Sequence, residues 1–74
     1  MESLEILVLQ MITICRQSNS MIHLETLIDN WNNDHVSVLK EFILERLPES
    51  LELTFLFYTP LLSIRIAPKI SLTE

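Results

Sequence analysis

The stretch LELTFLFYTPLLSIRIAP, Leu51 to Pro68, alternates apolar and polar side chains on both sides of a central proline. Period-two alternation rich in aromatic and β-branched residues marks half-buried strands. One strand would turn Leu53, Phe55 and Phe57 inward, and the other Leu62, Ile64 and Ile66. The turn falls near Thr59-Pro60. The chain has no glycine, which argues against a two-residue hairpin turn of the primed types, where positive φ is required. A looser turn with Pro60 at its second position is expected instead. Pro68 has no amide hydrogen to give to a ladder, so the hairpin is expected over about residues 51–67, followed by a tail over 68–74.

Without glycine, Asn, Asp, Ser and Pro must make the turns, and they cluster in RQSNS, DNWNND and LPES. Three apolar segments lie between these boundaries. Residues 4–17 carry a stripe of Leu4, Leu7, Val8, Met11, Ile14 and Cys15 at helical spacing, with Ser3 as cap. A second stripe, Ile6, Leu9 and Ile12, lies beside or behind the first; a strand is the competing reading, and length favours helix. Residues 21–31 place Met21, Leu24, Leu27, Ile28 and Trp31 on one face of a short amphipathic helix capped by Ser20. Residues 35–47, capped by Asp34, turn Val36, Leu39, Phe42, Ile43 and Leu47 inward and leave Val38 and Leu44 outside. Pro48 stops this helix because the residue before a proline is pushed out of helical geometry.

The expected architecture is therefore α+β: three helices followed by a β-hairpin, in one domain over 1–74. That order resembles the winged-helix variant of the helix-turn-helix fold. The resemblance implies that 21–31 and 35–47 form the helix-turn-helix pair and 51–67 the wing.

The apolar residues are numerous and bulky: 14 Leu, 9 Ile, 3 Phe and one Trp stand against a single Ala. A domain of this length buries only about 60% of the surface its unfolded chain exposes. Ile6, Leu9 and Ile12 on the first helix, and Leu56, Tyr58 and Leu61 on the outward side of the hairpin, exceed what one small core can hide. A two-stranded sheet would also leave both edges unpaired. These six residues are the candidate interface with a protein partner or a second copy of the chain. Glu41, Glu45 and Glu52 would supply a polar rim. The function expected is non-enzymatic assembly, as a homodimer or as a subunit of a larger complex.

The winged-helix resemblance implies an alternative, a small DNA-binding regulator that uses Lys40, Arg46, Arg65 and Lys69. The charge argues against it: ten acidic residues oppose five basic ones, giving a net charge of -5, and the cations are scattered. Anionic membrane surfaces are disfavoured for the same reason. Cys15, His23 and His35 match no compact metal-ligand spacing, and Cys15 belongs to an apolar stripe. No phosphate loop, catalytic signature, cofactor motif or small-molecule pocket is expected. A single cysteine and a start bearing Glu2 and Glu5 in place of a positive leader fit an intracellular location, cytoplasmic or nuclear.

Overall fold

The computed structural model describes residues 2–69. They form α1 (Glu2–Ser18), β1 (Ile22–Leu27), α2 (Asn33–Arg46), β2 (Leu51–Tyr58) and β3 (Leu61–Pro68). The strands make one antiparallel sheet in the order β1-β3-β2. β1 and β2 therefore run parallel to each other on either side of β3, joined through α2 as a split βαβ unit. Both helices cover the same face of the sheet, α1 over β3 and β1, and α2 over β2 and against α1.

This overturns the three-helix, winged-helix expectation. The segment 21–31 is not a helix, because six of its residues form β1, so 21–31 and 35–47 do not make a helix-turn-helix pair. The apolar residues of this segment fit two periods at once. Met21, Leu24, Leu27 and Ile28 suit a helix, while Ile22, Leu24 and Thr26 suit a strand, and the half-buried set is the second. β1 pairs along its length with β3, from Ile22 opposite Ile66 to Leu27 opposite Leu61. The hairpin is thus not a free two-stranded wing. β3 is the central strand, and the open edges belong to β1 and β2.

Three cross-strand rows make the inner face of the sheet: Ile22–Ile66–Leu53, Leu24–Ile64–Phe55 and Thr26–Leu62–Phe57. Leu62, Ile64 and Ile66 are fully buried, as expected of the middle strand of a covered face. From α1 the core receives Val8, Met11, Ile12 and Cys15, and from α2 Leu39 and Ile43. The α1 stripe is rotated from the one the spacing suggested. Leu7 and Ile14 are exposed, while Ile12 is 6% exposed and packs inside. Ile12 is therefore a core residue and not part of a free second stripe. The rotation follows from the sheet, which faces Val8, Ile12 and Cys15 as a contiguous i, i+4, i+7 ridge.

The turns show how the chain manages without glycine. Asn19 ends α1 with φ of 55°, the left-handed conformation that Asn tolerates best after Gly, and its N–H donates to the Cys15 carbonyl at 2.9 Å. The hairpin turn is tight after all: Tyr58 pairs with Leu61, and the Thr59-Pro60 peptide is cis. Pro60 sits at the third turn position, not the second, and among the described residues only Asn19 has a positive φ. Leu47, before Pro48, has ψ of 123° and ends α2 in extended geometry. Residues 70–74 of the expected tail lie outside the described residues.

The cap of α2 is Asn32 and not Asp34. Its Oδ1 accepts from the His35 N–H at 3.0 Å, and its own N–H donates to His35 Nδ1 at 3.3 Å. This is a capping box with histidine in the place usually held by Glu or Gln. Asn32→Ala is expected to lower stability by about 1 kcal/mol, read as a lower urea midpoint at unchanged slope. Asp34→Ala should move the midpoint by much less.

Candidate interaction surface

Residues that do not enter the core alternate onto the outer face of the sheet, which no element covers among the described residues. In register, the outer rows are His23–Arg65–Thr54, Glu25–Ser63–Leu56 and Leu27–Leu61–Tyr58. The first row is polar. The His23 ring shares a hydrogen bond with Ser63 Oγ at 2.9 Å, and its Nε2 lies 3.7 Å from Glu25 Oε2. The row nearest the turn is entirely apolar save for one phenol hydroxyl. Leu27 is 72% exposed and Tyr58 71%. Leu56 and Leu61 are exposed beside them, and the Ile28 N–H donates to the Pro60 carbonyl at 2.6 Å, tying the end of β1 to the turn. These four side chains form one patch on a rigid, three-stranded support.

The structure thus brings Leu56, Tyr58 and Leu61 together, and adds Leu27, which the helical reading of 21–31 placed inside. The signal for Leu27 was present in the alternation His23, Glu25, Leu27 against Ile22, Leu24, Thr26. Ile6 and Leu9 stand apart from this patch. They lie on the side of α1 turned away from the sheet, where Ile6 is 55% exposed. With Gln10, Thr13 and Ile14 they line a shallow groove of about 330 Å³. Thr13 Oγ1 donates back to the Leu9 carbonyl at 3.2 Å, so its methyl group is what the groove presents. The six expected interface residues therefore divide into an outer-sheet group, an α1 group, and the buried Ile12.

A smaller cleft of about 170 Å³ lies where α1 meets α2, lined by Glu5, Trp31, His35, Val38 and Leu39. The Trp31 and His35 rings are 5.9 Å apart, tilted against each other. Its walls are apolar and aromatic, and Glu5 supplies the one carboxylate in the lining.

The four cations offered for nucleic acid do not share a surface. Lys40 and Arg46 are exposed on α2, over the inner face of the sheet, whereas Arg65 is exposed on the outer face. Arg46 is also engaged locally: its guanidinium carbon sits 3.9 Å from the centre of the Phe42 ring, and Nη1 donates to the Phe42 carbonyl at 3.1 Å. Lys69, exposed just past β3, donates its backbone N–H to the Ser50 carbonyl at 2.9 Å. Cys15, His23 and His35 are equally dispersed, over the core, the outer sheet face and the start of α2. Among the described residues, no three His, Cys, Asp or Glu side chains gather as metal ligands. No helix of the described residues is long and apolar enough to cross a membrane.

Cys15 has no exposed surface. Its thiol donates to the Ile66 carbonyl at 3.6 Å, and burial pushes its pKa up from the ordinary value of 9.0. A buried thiol of this kind packs as a small apolar side chain. Comparison with protein-family models, with curated proteins and with solved structures finds no match for this chain.

Proposed function

We propose that the chain is a non-enzymatic protein–protein association module that acts as a homodimer or as a subunit of a larger complex. The row Leu27–Leu61–Tyr58, with Leu56 beside it, carries this reading. Large apolar side chains held in register on an uncovered sheet face favour desolvation by another surface, at about 25 cal/mol for each Å² removed from water. The exposed stripe of α1, on the far side of the domain, gives a second such surface. Glu25 and Glu52 are exposed on the outer face of the sheet and suit a polar rim; Glu41 and Glu45 are exposed on α2, over the other face. Non-enzymatic action is supported by the mainly apolar lining of the α1 groove and by the buried thiol of Cys15. Compartment follows the sequence reading, cytoplasm or nucleus.

The test is light scattering of the purified chain over a concentration series, with an apolar dye as a second readout. Self-association, or a monomer that binds the dye strongly, is the expected result. Leu9→Asp and Leu56→Asp should each weaken association or dye binding while leaving the circular dichroism and the cooperative melt in place, because both side chains face solvent. A monomer at every concentration that ignores the dye sinks the reading. So does loss of fold in both variants, which would place Leu9 and Leu56 in the interior.

A further inference from the structure

We infer that the outer face of α1 is a homodimer seam, in which two copies of α1 pack antiparallel across a two-fold axis passing between Gln10 and Met11. The inference rests on the association reading and names the occupant of one of its two surfaces: a second copy of this chain.

The warrant is self-complementarity of charge and shape. In an antiparallel helix pair related by a two-fold axis, residues on one flank meet residues on the same flank of the mate, at mirrored heights. Glu5 and Arg16 are eleven residues apart, three turns at 3.6 residues per turn, so they share a flank. Leu7 and Ile14 are seven apart, two turns, and share the opposite flank. One axis, between Gln10 and Met11, sets Glu5 level with Arg16 of the second copy and Leu7 level with Ile14 of the second copy. A parallel pairing would instead leave Glu5 and Arg16 of the two copies eleven residues, about 16 Å, apart along the helices, with no ion pair.

The groove between the flanks fits the same axis. Ile6 of one copy falls between Thr13 and Gln17 of the other, and the Leu9 and Gln10 side chains of the two copies alternate across the centre. The seam is then a knob-and-hole sequence rather than a ridge against a ridge. Thr13 contributes its methyl group because its hydroxyl is turned onto its own helix.

The cleft beside Glu5 adds a specific seat. An arginine arriving at that height from the second copy finds a carboxylate, the Trp31 and His35 rings, and the apolar walls of Val38 and Leu39. A guanidinium on an aliphatic stem suits that lining through an ion pair, stacking on the indole and burial of its methylenes. Two such seats form in each dimer.

The experiment is a charge swap on the full chain, read by sedimentation equilibrium. Glu5→Arg and Arg16→Glu should each weaken self-association by about tenfold or more, since each places like charges opposite one another twice. The double variant should return to within about threefold of the original. Oxidative cross-linking gives an independent readout, because Cys15 is buried and does not compete. Gln10→Cys should cross-link to itself, lying next to the axis. Gln17→Cys should not, because the two copies of that residue lie about 20 Å apart along the helices at 1.5 Å per residue.

Wild-type affinity in either single variant, failure of the double variant to recover, or equal cross-linking at both positions overturns the inference. If the chain still self-associates in those cases, the association reading stands and the contact lies elsewhere, the outer sheet face first. A chain that is monomeric at all concentrations overturns the homodimer, while dye binding decides separately whether the association reading survives.

Discussion

Ile64→Ala is expected to lower the melting temperature by about 8–40 °C. Ile64 is the middle residue of the central row Leu24–Ile64–Phe55 and is fully buried in the core shared with α1 and α2. Removing the outer carbons of a buried isoleucine costs about 2–5 kcal/mol, the loss of transfer free energy plus the cavity left behind. A domain of this length holds only about 4–11 kcal/mol in total, at 0.05–0.15 kcal/mol per residue, and each kcal/mol is about 4–8 °C at this size.

The informative comparison lies within the same strands. Leu61→Ala, on the outer face of β3, should cost less than about 1 kcal/mol. In β1, Leu24→Ala should be costly and Leu27→Ala nearly silent, because the strand turns the two to opposite faces. A helix over 21–31 would bury both on one stripe and make both costly. Equal losses at Leu24 and Leu27 would therefore refute β1 itself. The measurement is a thermal or urea melt of each variant by circular dichroism.

That contrast also explains which parts of the fold were legible. β2 and β3 could be read because Leu53, Phe55 and Phe57, and then Leu62, Ile64 and Ile66, alternate without a competing period. Leu56, Tyr58 and Leu61 came with them as the residues left on the other face. α2 could be read because Leu39 and Ile43 repeat at helical spacing and Pro48 closes the segment. β1 was ambiguous on local grounds, since Leu24 belongs to both periods and Leu27 to the helical one alone. The decision is made some forty residues downstream, where β3 offers an open edge and an inner row that Ile22, Leu24 and Thr26 complete. Local propensity yields to such a partner. β-Branched Ile22 and Thr26, and the early turn at Asp29-Asn30, were the local hints.

The same non-locality hid Ile12. α1 is apolar on most of its circumference, so its sequence permits several core stripes. The sheet selects Val8, Met11, Ile12 and Cys15, and the residues not selected, Ile6, Leu7, Leu9 and Ile14, become the outer stripe. A helix whose apolar residues exceed the one face its own domain can cover is also what a two-sided helix in an assembly requires. The ambiguity of α1 as a sequence and its proposed role as a seam thus have one cause.

Cys15 should report on the whole fold. In native buffer its reaction with a water-soluble thiol reagent is expected to be at least about a thousandfold slower than in the urea-unfolded chain. Its sulfur has no exposed surface and lies against β3. Reagent reaches it only when α1 leaves the sheet, an opening near the global unfolding free energy, for which equilibrium constants of about 10³–10⁸ are usual. Fast labelling of the native chain would show that α1 lifts off locally, and would remove the rigid helix on which the two-fold seam depends.

The thiol also sets a sign for pH dependence. Burial raises its folded-state pKa above the unfolded value of 9.0, so the folded chain keeps a proton that the unfolded chain releases. Stability is unaffected by this group below that value and falls as the pH rises through and beyond it. Cys15→Ala, which has no proton to lose, should flatten that part of the alkaline decline. An alkaline slope equally steep in both chains would mean that folding leaves the thiol its ordinary pKa, and so that the folded chain does not desolvate it.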